Sequence, residues 1–105
     1  MNHAFGLSSA DLEKIIQVFR QVPGLEEVVL YGSRAKGNYR PGSDIDLTLK
    51  GDKISLKILN RLSNELDDLL LPYSFDLSIY QQIENKDLVE HIDRVGVTIY
   101  QSSDV

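Results

Sequence analysis

The chain has 105 residues, of which 42% are hydrophobic, enough for one modest core and too few for a second module. Its 16 acidic residues against 11 basic ones give a net charge of −5, which disfavours a grip on many phosphates of a long nucleic acid. There is no cysteine, so a disulfide framework and a thiolate metal site are excluded. We therefore expect a single domain over residues 1–105.

Neither a targeting segment nor a membrane span is predicted from the sequence. Residues 1–6 lack the charged and apolar pattern of a signal peptide, and no apolar run approaches the length that crosses a bilayer. We therefore expect a cytoplasmic protein without a membrane partner. The polar segment 101–105 is expected to fray.

A helix and then a buried strand are predicted before residue 32. Ser8 is a suitable N-cap, and Pro23 with Gly24 ends the helical pattern. One face of this helix is apolar and consists of Leu12, Ile15, Ile16 and Phe19. Residues 28–31 are continuously apolar, which is typical of a buried strand. Tyr31, at its end, could belong either to the core or to the mouth of a site.

The strand stops at Gly32-Ser33, a turn suited to holding phosphate. Glycine has no Cβ, so backbone N–H groups can approach a ligand closely, and the Ser33 hydroxyl adds a hydrogen bond. A short helix that starts here would direct its positive dipole end to the same place. Positive charge is supplied nearby by Arg34, Lys36 and Arg40.

The loop over residues 37–43 has the glycine spacing of a P-loop but is not one. It lacks the lysine before a serine or threonine that the motif requires. Pro41 and Gly42 instead predict a turn that leads into the next strand. Tyr39 could stack on a base, although a plain loop aromatic is the simpler interpretation.

Asp44 and Asp46 are the strongest chemical signal in the chain. Residues 44–49 alternate between polar and apolar, and in a strand residues two apart share a face. Two ionised carboxylates side by side raise each other's pKa, so a divalent cation is the simplest means of stabilising the pair. Oxygen ligands alone favour Mg²⁺ or Mn²⁺ over zinc or copper.

A third carboxylate lies on a later predicted strand. Residues 73–80 alternate strictly, with Asp76 on the polar side. If this strand lies beside that of Asp46, Asp76 completes a triad able to hold two metal ions. The helix between the two strands has an apolar stripe, interpreted as core, formed by Ile58, Leu59, Leu62, Leu66 and Leu69.

The chain ends in a predicted helix and a strand. Residues 85–94 have a helical pattern with Leu88, Val89 and Ile92 inward, Gly96 is a suitable C-terminal cap, and residues 97–100 read as a strand. The element order is therefore α-β-α-β-α-β-α-β. This alternation predicts an α/β (α+β) fold, a mixed sheet of about four strands packed with helices.

Two histidines and a second acidic pair are assigned no role. His3 and His91 each stand alone and are predicted to be exposed or to make only local contacts. Asp67 and Asp68 are neighbours on a helix, where side chains diverge by about 100°, so a joint metal site is not expected.

Together, residues 30–37 and 42–47 and the later Asp76 resemble the minimal nucleotidyltransferases of the DNA polymerase β superfamily. Residues 34–43 set the Gly-Ser pair apart from the Asp-x-Asp pair, and the resemblance spans most of the chain. Residues 93–100 are similar too. The family consists of small prokaryotic proteins, often paired with a HEPN partner protein.

The resemblance implies a polymerase β-like fold and transfer of a nucleoside monophosphate, AMP from ATP, to an acceptor hydroxyl. Asp44, Asp46 and Asp76 would be the catalytic metal ligands for two Mg²⁺ ions, with Mn²⁺ as an alternative. Asp76 could instead accept the proton of the hydroxyl. The nucleotide would be bound by Gly32, Ser33, Arg34, Lys36 and Ser43.

In the HEPN pairs the implied acceptor is a tyrosine of the toxin, and the nucleotidyltransferase is the antitoxin. Two alternatives stay open. One is an antitoxin that retains a nucleotide pocket but acts only by binding, and the other is an enzyme that modifies a small molecule, which normally needs a further substrate domain. The three aspartates favour catalysis, and the oligomeric state is not predicted.

Overall fold

The computed structural model describes residues 4–102, and the order of helices and strands in that range is the predicted one. Two 3-10 turns, Ala4–Gly6 and Tyr80–Gln82, are additional. The helices are α1 (Ser9–Arg20), α2 (Ser33–Lys36), α3 (Leu56–Asp67) and α4 (Lys86–Val95). The strands are β1 (Glu27–Tyr31), β2 (Ile45–Lys50), β3 (Phe75–Ile79) and β4 (Val97–Gln101). The predictions for His3 and for residues 103–105 lie outside the described residues.

A mixed four-stranded sheet in the order β3-β2-β1-β4 organises the molecule. Strand β1 is antiparallel to β2 and β4, whereas β2 and β3 are parallel and are joined through α3. The register places Tyr31 opposite Asp46, and Asp46 opposite Asp76. The strands of Asp46 and Asp76 are therefore neighbours, as the triad hypothesis requires.

Helices α1 and α3 enclose the main core on one face of the sheet. Ile15 and Phe19 of α1 and Leu62 and Leu66 of α3 are all 0% exposed, so the apolar stripe of α3 is confirmed as core. Full burial of such a side chain contributes about 1.5–3 kcal/mol. The sheet supplies the rest of this core, chiefly Val28, Leu30, Ile45, Leu47 and Leu49.

The opposite face of the sheet is covered only in part, by α4. Val29 and Tyr31 of β1 pack there against Ile92 of α4 in a second, smaller cluster. On the same face the neighbouring strands β2 and β3 carry polar side chains, namely Asp46, Thr48, Asp76 and Ser78. One half of the second face is therefore apolar core, and the other half carries polar side chains.

Side-chain caps begin the three longer helices. In each, the residue before the helix accepts hydrogen bonds from N–H groups of the first turn, at Ser8, Ser55 and Asn85. Among residues 4–102, no helix is both long and apolar enough to cross a membrane. Gly96 is the C-cap of α4, as predicted, and its N–H donates to the Ile92 carbonyl at 2.8 Å, but its backbone is extended, with φ of −62°, and not left-handed. A Cβ there would collide with the Ile92 carbonyl, so close packing explains the glycine.

The C-terminal part of the described chain is more ordered than its polarity suggests. Gln101 belongs to β4 and pairs with Glu27, and the Ser102 N–H donates to the Glu26 carbonyl at 2.8 Å. The prediction that these two residues fray is therefore wrong, because ladder hydrogen bonds hold a polar strand end as well as an apolar one.

Leu70, between α3 and β3, provides a test of local backbone strain. It is 88% exposed and has a left-handed φ of 56°, a region that asparagine occupies more readily than leucine. We expect Leu70→Asn to raise the free energy of unfolding by about 0.5–1 kcal/mol in urea denaturation. Leu56→Asn, at a 61% exposed helical position, is the control. An equal gain in the control would contradict this explanation.

Candidate active site

Three strands bring Tyr31, Asp46 and Asp76 into one row across the sheet. Residues directly opposite on neighbouring strands present their side chains to the same face, about 5 Å apart. Asp44 lies one residue before β2 and is exposed, as is Asp76, whereas Asp46 is partly buried. The three predicted carboxylates therefore gather where β1 ends and where β2 and β3 begin.

The charge of Asp46 is destabilised by its surroundings. Burial is the largest cause that raises the pKa of this carboxyl above its usual range, followed by the charges of Asp76 and Asp44. The charge of Arg34 lowers the pKa of Asp46 in part, and so would His91 in its charged form. The repulsion that the sequence predicts between neighbouring carboxylates is thus present, and a bound cation would relieve it.

Gly32 joins the predicted phosphate turn to the carboxylates. Its φ of 76° and ψ of −156° lie in a region that only glycine adopts without strain. A Cβ at this position would collide with Oδ2 of Asp46. The turn at the end of β1 and the first carboxylate of β2 are therefore in direct contact and form one site.

The other residues predicted to bind nucleotide near this turn, Ser33, Lys36 and Ser43, differ in their burial and hydrogen bonds. Ser33 begins α2 and is partly buried, and Lys36 ends α2 and is exposed. The Ser43 hydroxyl accepts from the Arg40 N–H at 2.8 Å, and the Ser43 N–H donates to the Arg40 carbonyl at 2.9 Å, which closes the turn predicted at residues 41–42. Nucleotide binding by these three serine and lysine side chains stays a prediction.

Arg34 ties two loops to α2. Its guanidinium donates to the Ser43 carbonyl at 3.1 and 2.8 Å and to the Phe5 carbonyl at 2.9 Å, and the side chain is only 2% exposed. The rings of Tyr39 and Tyr73 lie 5.4 and 5.3 Å from its Cζ atom. Tyr39 is thus packed as a loop aromatic. The charged guanidinium of Arg34 stabilises the two loops by binding their carbonyl groups. Direct contact of Arg34 with nucleotide stays a prediction.

We expect Arg34→Met to lower the free energy of unfolding by about 2–4 kcal/mol, measured by urea denaturation. The substitution leaves partly buried carbonyls at Phe5 and Ser43 without a donor. Arg34→Lys should recover little of the loss, because one ammonium cannot reproduce the planar fork of a guanidinium. Arg40→Met, at an exposed position, is the control and should change stability by less than about 0.5 kcal/mol.

His91 is a site residue that the sequence does not reveal. Its Nε2 accepts a hydrogen bond from the Gly32 N–H at 3.2 Å, and its ring meets the ring of Tyr31 edge-on, with centroids 6.2 Å apart. The contact joins residues 59 apart in the chain and has no local motif. The prediction of a merely local or exposed histidine is therefore wrong.

A polar network lies beside the carboxylates. The Ser78 hydroxyl donates to Oγ1 of Thr48 at 2.9 Å, and Thr48 is 0% exposed. The pKa of the Tyr31 phenol is raised, chiefly by burial, while its hydrogen bond with Ser78 lowers it. Tyr31 therefore stays neutral at physiological pH, and the network links β1, β2 and β3 on the face that carries the site.

The carboxylates suit a hard cation without forming a closed cage. Within the described part of the chain, no three His, Cys, Asp or Glu side chains are arranged as a metal cluster. Mg²⁺ does not require such a cluster, because it is usually bound by one or two carboxylates together with waters and substrate phosphates. An open set of aspartates beside a glycine turn therefore fits this ion.

A cleft of about 610 Å³ lies at the other end of the sheet. The end of α1, the start of β1 and the loop after β2 form its walls. It is lined by Arg20, Glu26, Asp52 and Tyr100 among others, and by none of the predicted site residues. The aspartates therefore belong to an open surface site and not to this cleft.

Gly32 adjoins Asp46, and Asp76 lies opposite Asp46 on the neighbouring strand of the mixed sheet. Residues 13–105 match the family model described as "Polymerase beta, Nucleotidyltransferase". The chain belongs to this family, and the polymerase β-like fold predicted from the sequence is confirmed.

The relatives and similar structures agree with this assignment. A Methanocaldococcus jannaschii protein with the provisional name protein adenylyltransferase MJ0141 is 30% identical over 83 residues, which cover 71% of this chain and 79% of the relative. A chain in the crystal structure of a toxin-antitoxin with AMP-PNP matches with a TM-score of 0.72 and 22% identity, over 89% of this chain and 75% of its own length.

A further match is a chain in the structure of tri-AMPylated Shewanella oneidensis HEPN toxin in complex with MNT antitoxin. It has a TM-score of 0.67 and 20% identity and covers 90% of this chain and 73% of its own length. At these identities the likeness to solved structures establishes the fold.

Proposed function

We propose that this nucleotidyltransferase transfers AMP from ATP to a hydroxyl of a partner protein, and that the transfer requires Mg²⁺. The contact between Gly32 and Asp46 carries the proposal, because it joins a turn suited to phosphate with the paired carboxylates. The relative named as a protein adenylyltransferase supports a protein acceptor. The similar complex with an AMPylated HEPN toxin supports a tyrosine of a HEPN toxin as acceptor and an antitoxin role for this chain.

The chemistry follows from where charge develops. The acceptor oxygen attacks the α-phosphorus of ATP, the bond to pyrophosphate breaks, and negative charge builds on the phosphate oxygens. The backbone N–H and hydroxyl of Ser33 would bind the leaving phosphates, with the exposed Lys36 adding positive charge. Mg²⁺ held by the aspartates would supply further positive charge and lower the pKa of the acceptor hydroxyl.

The acceptor hydroxyl would approach from the β3 side of the site. β3 is an edge strand, and Asp76 is exposed on it, whereas Asp46 is partly buried in the middle of the row. Asp76 is therefore the carboxylate best placed to receive the proton of the acceptor, besides serving as a ligand. Asp46 and Asp44 then act as ligands alone.

Labelled ATP tests the proposed transfer. The protein is incubated with Mg²⁺, α-labelled ATP and lysate of its native host, and the label is followed into protein, RNA and small molecules. Asp46→Asn is the disabled variant, and Asp67→Asn, which makes the same charge change on α3, is the matched control. A protein band labelled by the wild type and by Asp67→Asn, but not by Asp46→Asn, is the expected result.

Other distributions of the label would contradict the proposal in different ways. Label confined to RNA or to small molecules would exclude a protein acceptor. No label that depends on Asp46, with a partner still co-purifying, would exclude catalysis and support neutralisation by binding alone. Label that persists in EDTA would exclude the metal requirement, whereas we expect EDTA to abolish transfer and excess Mg²⁺ to restore it.

A further inference from the structure

The turn between β1 and α2 is held from outside the sheet by α4. The last residue pair of the β1–β2 ladder is Tyr31 with Asp46, so the next amide along the chain, that of Gly32, lies beyond the ladder. This amide donates to Nε2 of His91 at 3.2 Å. The backbone of Gly32 is thus oriented by a side chain from a different element.

The neighbours of His91 hold the imidazole in place. Its ring packs edge-on against Tyr31, and the next residue, Ile92, is buried with Val29 and Tyr31. An imidazole nitrogen that accepts a hydrogen bond carries no proton, so this contact selects the neutral tautomer with hydrogen on Nδ1. Gly32 is the N-cap of α2 and adjoins Asp46, so the hydrogen bond acts on the residue that directly precedes Ser33.

We propose that His91 is a positioning residue for phosphate binding, because its Nε2 holds the Gly32 amide and thereby orients the amide and hydroxyl of Ser33 toward the triphosphate. The proposal rests on the proposed function in that ATP is the ligand of this turn. His91 itself does not touch the reacting atoms. Its removal should therefore weaken ATP binding more than it slows the chemical step.

The contact can be tested without nucleotide. His91→Leu removes the acceptor, whereas His91→Gln retains an oxygen that can reach about as far as Nε2. In His91→Leu we expect the NMR resonance of the Gly32 amide to shift and its hydrogen exchange to accelerate at least roughly tenfold, with recovery in His91→Gln. If His91→Leu does not fold, His91→Asn replaces it in the measurement, because the asparagine side chain is too short for its oxygen to reach Gly32. An unchanged Gly32 amide would overturn the proposal whatever the function.

The role in ATP binding is tested by transfer kinetics with Mg²⁺ and ATP. Loss of one hydrogen bond predicts that His91→Leu raises KM for ATP roughly five- to tenfold with kcat within about threefold, and that His91→Gln restores KM. Glu90→Gln, at the adjacent exposed position on α4, is the control and should behave as the wild type.

The remaining outcomes separate this role from the proposed function. An unchanged KM would overturn the positioning role, and so would a lowered KM, which would mean that His91 and phosphate compete for the Gly32 amide. A wild-type protein that neither binds ATP nor transfers AMP would refute the proposed function and this role with it. A wild type that transfers AMP beside an unaffected His91→Leu refutes only the role of His91.

Discussion

The Asp46→Asn substitution is expected to reduce AMP transfer by at least roughly a thousandfold in kcat and, at the same time, to stabilise the fold. The amide has the shape of the carboxylate but cannot neutralise Mg²⁺, so the charge that the transition state needs is missing. The side chain that it replaces is a partly buried acid beside two other acids. Activity and stability should therefore change in opposite directions.

The stabilisation has a defined pH dependence. Because burial and the neighbouring charges raise the pKa of Asp46 in the folded state, the folded protein binds more protons than the unfolded chain between the two pKa values. The free energy of unfolding therefore falls as the pH rises through that window, and the penalty is complete above the folded pKa. Asparagine has no charge and therefore no such penalty. The stability that Asp46→Asn gains over the wild type should thus shrink as the pH is lowered through the raised pKa of Asp46.

Thermal unfolding in EDTA measures this effect. We expect Asp46→Asn to raise Tm near pH 7 by about 2–5 °C, the range for a relieved functional-site penalty of about 0.5–1 kcal/mol in a chain of this size. Glu84→Gln, which makes the same charge change at an exposed position outside the helices, should leave Tm nearly unchanged. Added Mg²⁺ should raise the Tm of the wild type and not that of Asp46→Asn. A variant less stable than the wild type in EDTA would show that Asp46 supports the fold, and would count against a metal site.

The Gly32→Ala substitution is expected to damage both activity and stability. The new Cβ would collide with Oδ2 of Asp46, and alanine is strained at a φ of 76°. The backbone cost alone is about 1–3 kcal/mol in the free energy of unfolding. Displacement of the turn and of the carboxylate together should lower AMP transfer at least roughly a hundredfold, since a shift of about 1 Å is enough for such a loss.

Gly37 offers a matched control for Gly32. It has a similar positive φ of 87°, but a Cβ there would meet no atom within 4 Å. Gly37→Ala should therefore cost stability through backbone strain and retain most of the transfer activity. Urea denaturation and transfer kinetics on both variants compare the two effects. Equal losses of activity would show that the collision with Asp46 is not the cause.

The strands and the carboxylate row can be predicted from the sequence because both depend on local pattern. The alternation around Asp46 and Asp76 determines which face each residue takes, and a parallel pairing of the two strands then suffices to bring the carboxylates together. The contact of Gly32 with Asp46 likewise follows from the turn at the end of β1, since Tyr31 and Asp46 are partners. These features need only the pairing of β2, in register, with its two neighbours β1 and β3.

What the sequence does not reveal depends on contacts between distant segments. Arg34 is predicted from the sequence only as a charge for phosphate, yet its guanidinium donates to the Phe5 carbonyl and lies against the ring of Tyr73. His91 reads as an isolated polar residue, and only the packing of α4 on β1 brings it to Gly32. Both side chains satisfy backbone groups far away in the chain, and such pairings leave no periodic trace.

The partial cover that α4 gives to the second face would leave one side of the proposed reaction open to water. On the β1 side the site has a wall of packed side chains, but toward the edge strand β3 it opens to solvent, with Asp44 and Asp76 exposed. A triphosphate bound there would keep one flank hydrated until the acceptor covers it. The acceptor protein would thus exclude water from the site at which it is modified. A single water molecule could not do so, because it is too small to cover the site. The fidelity of the proposed transfer would then depend on how well the acceptor surface fits the site.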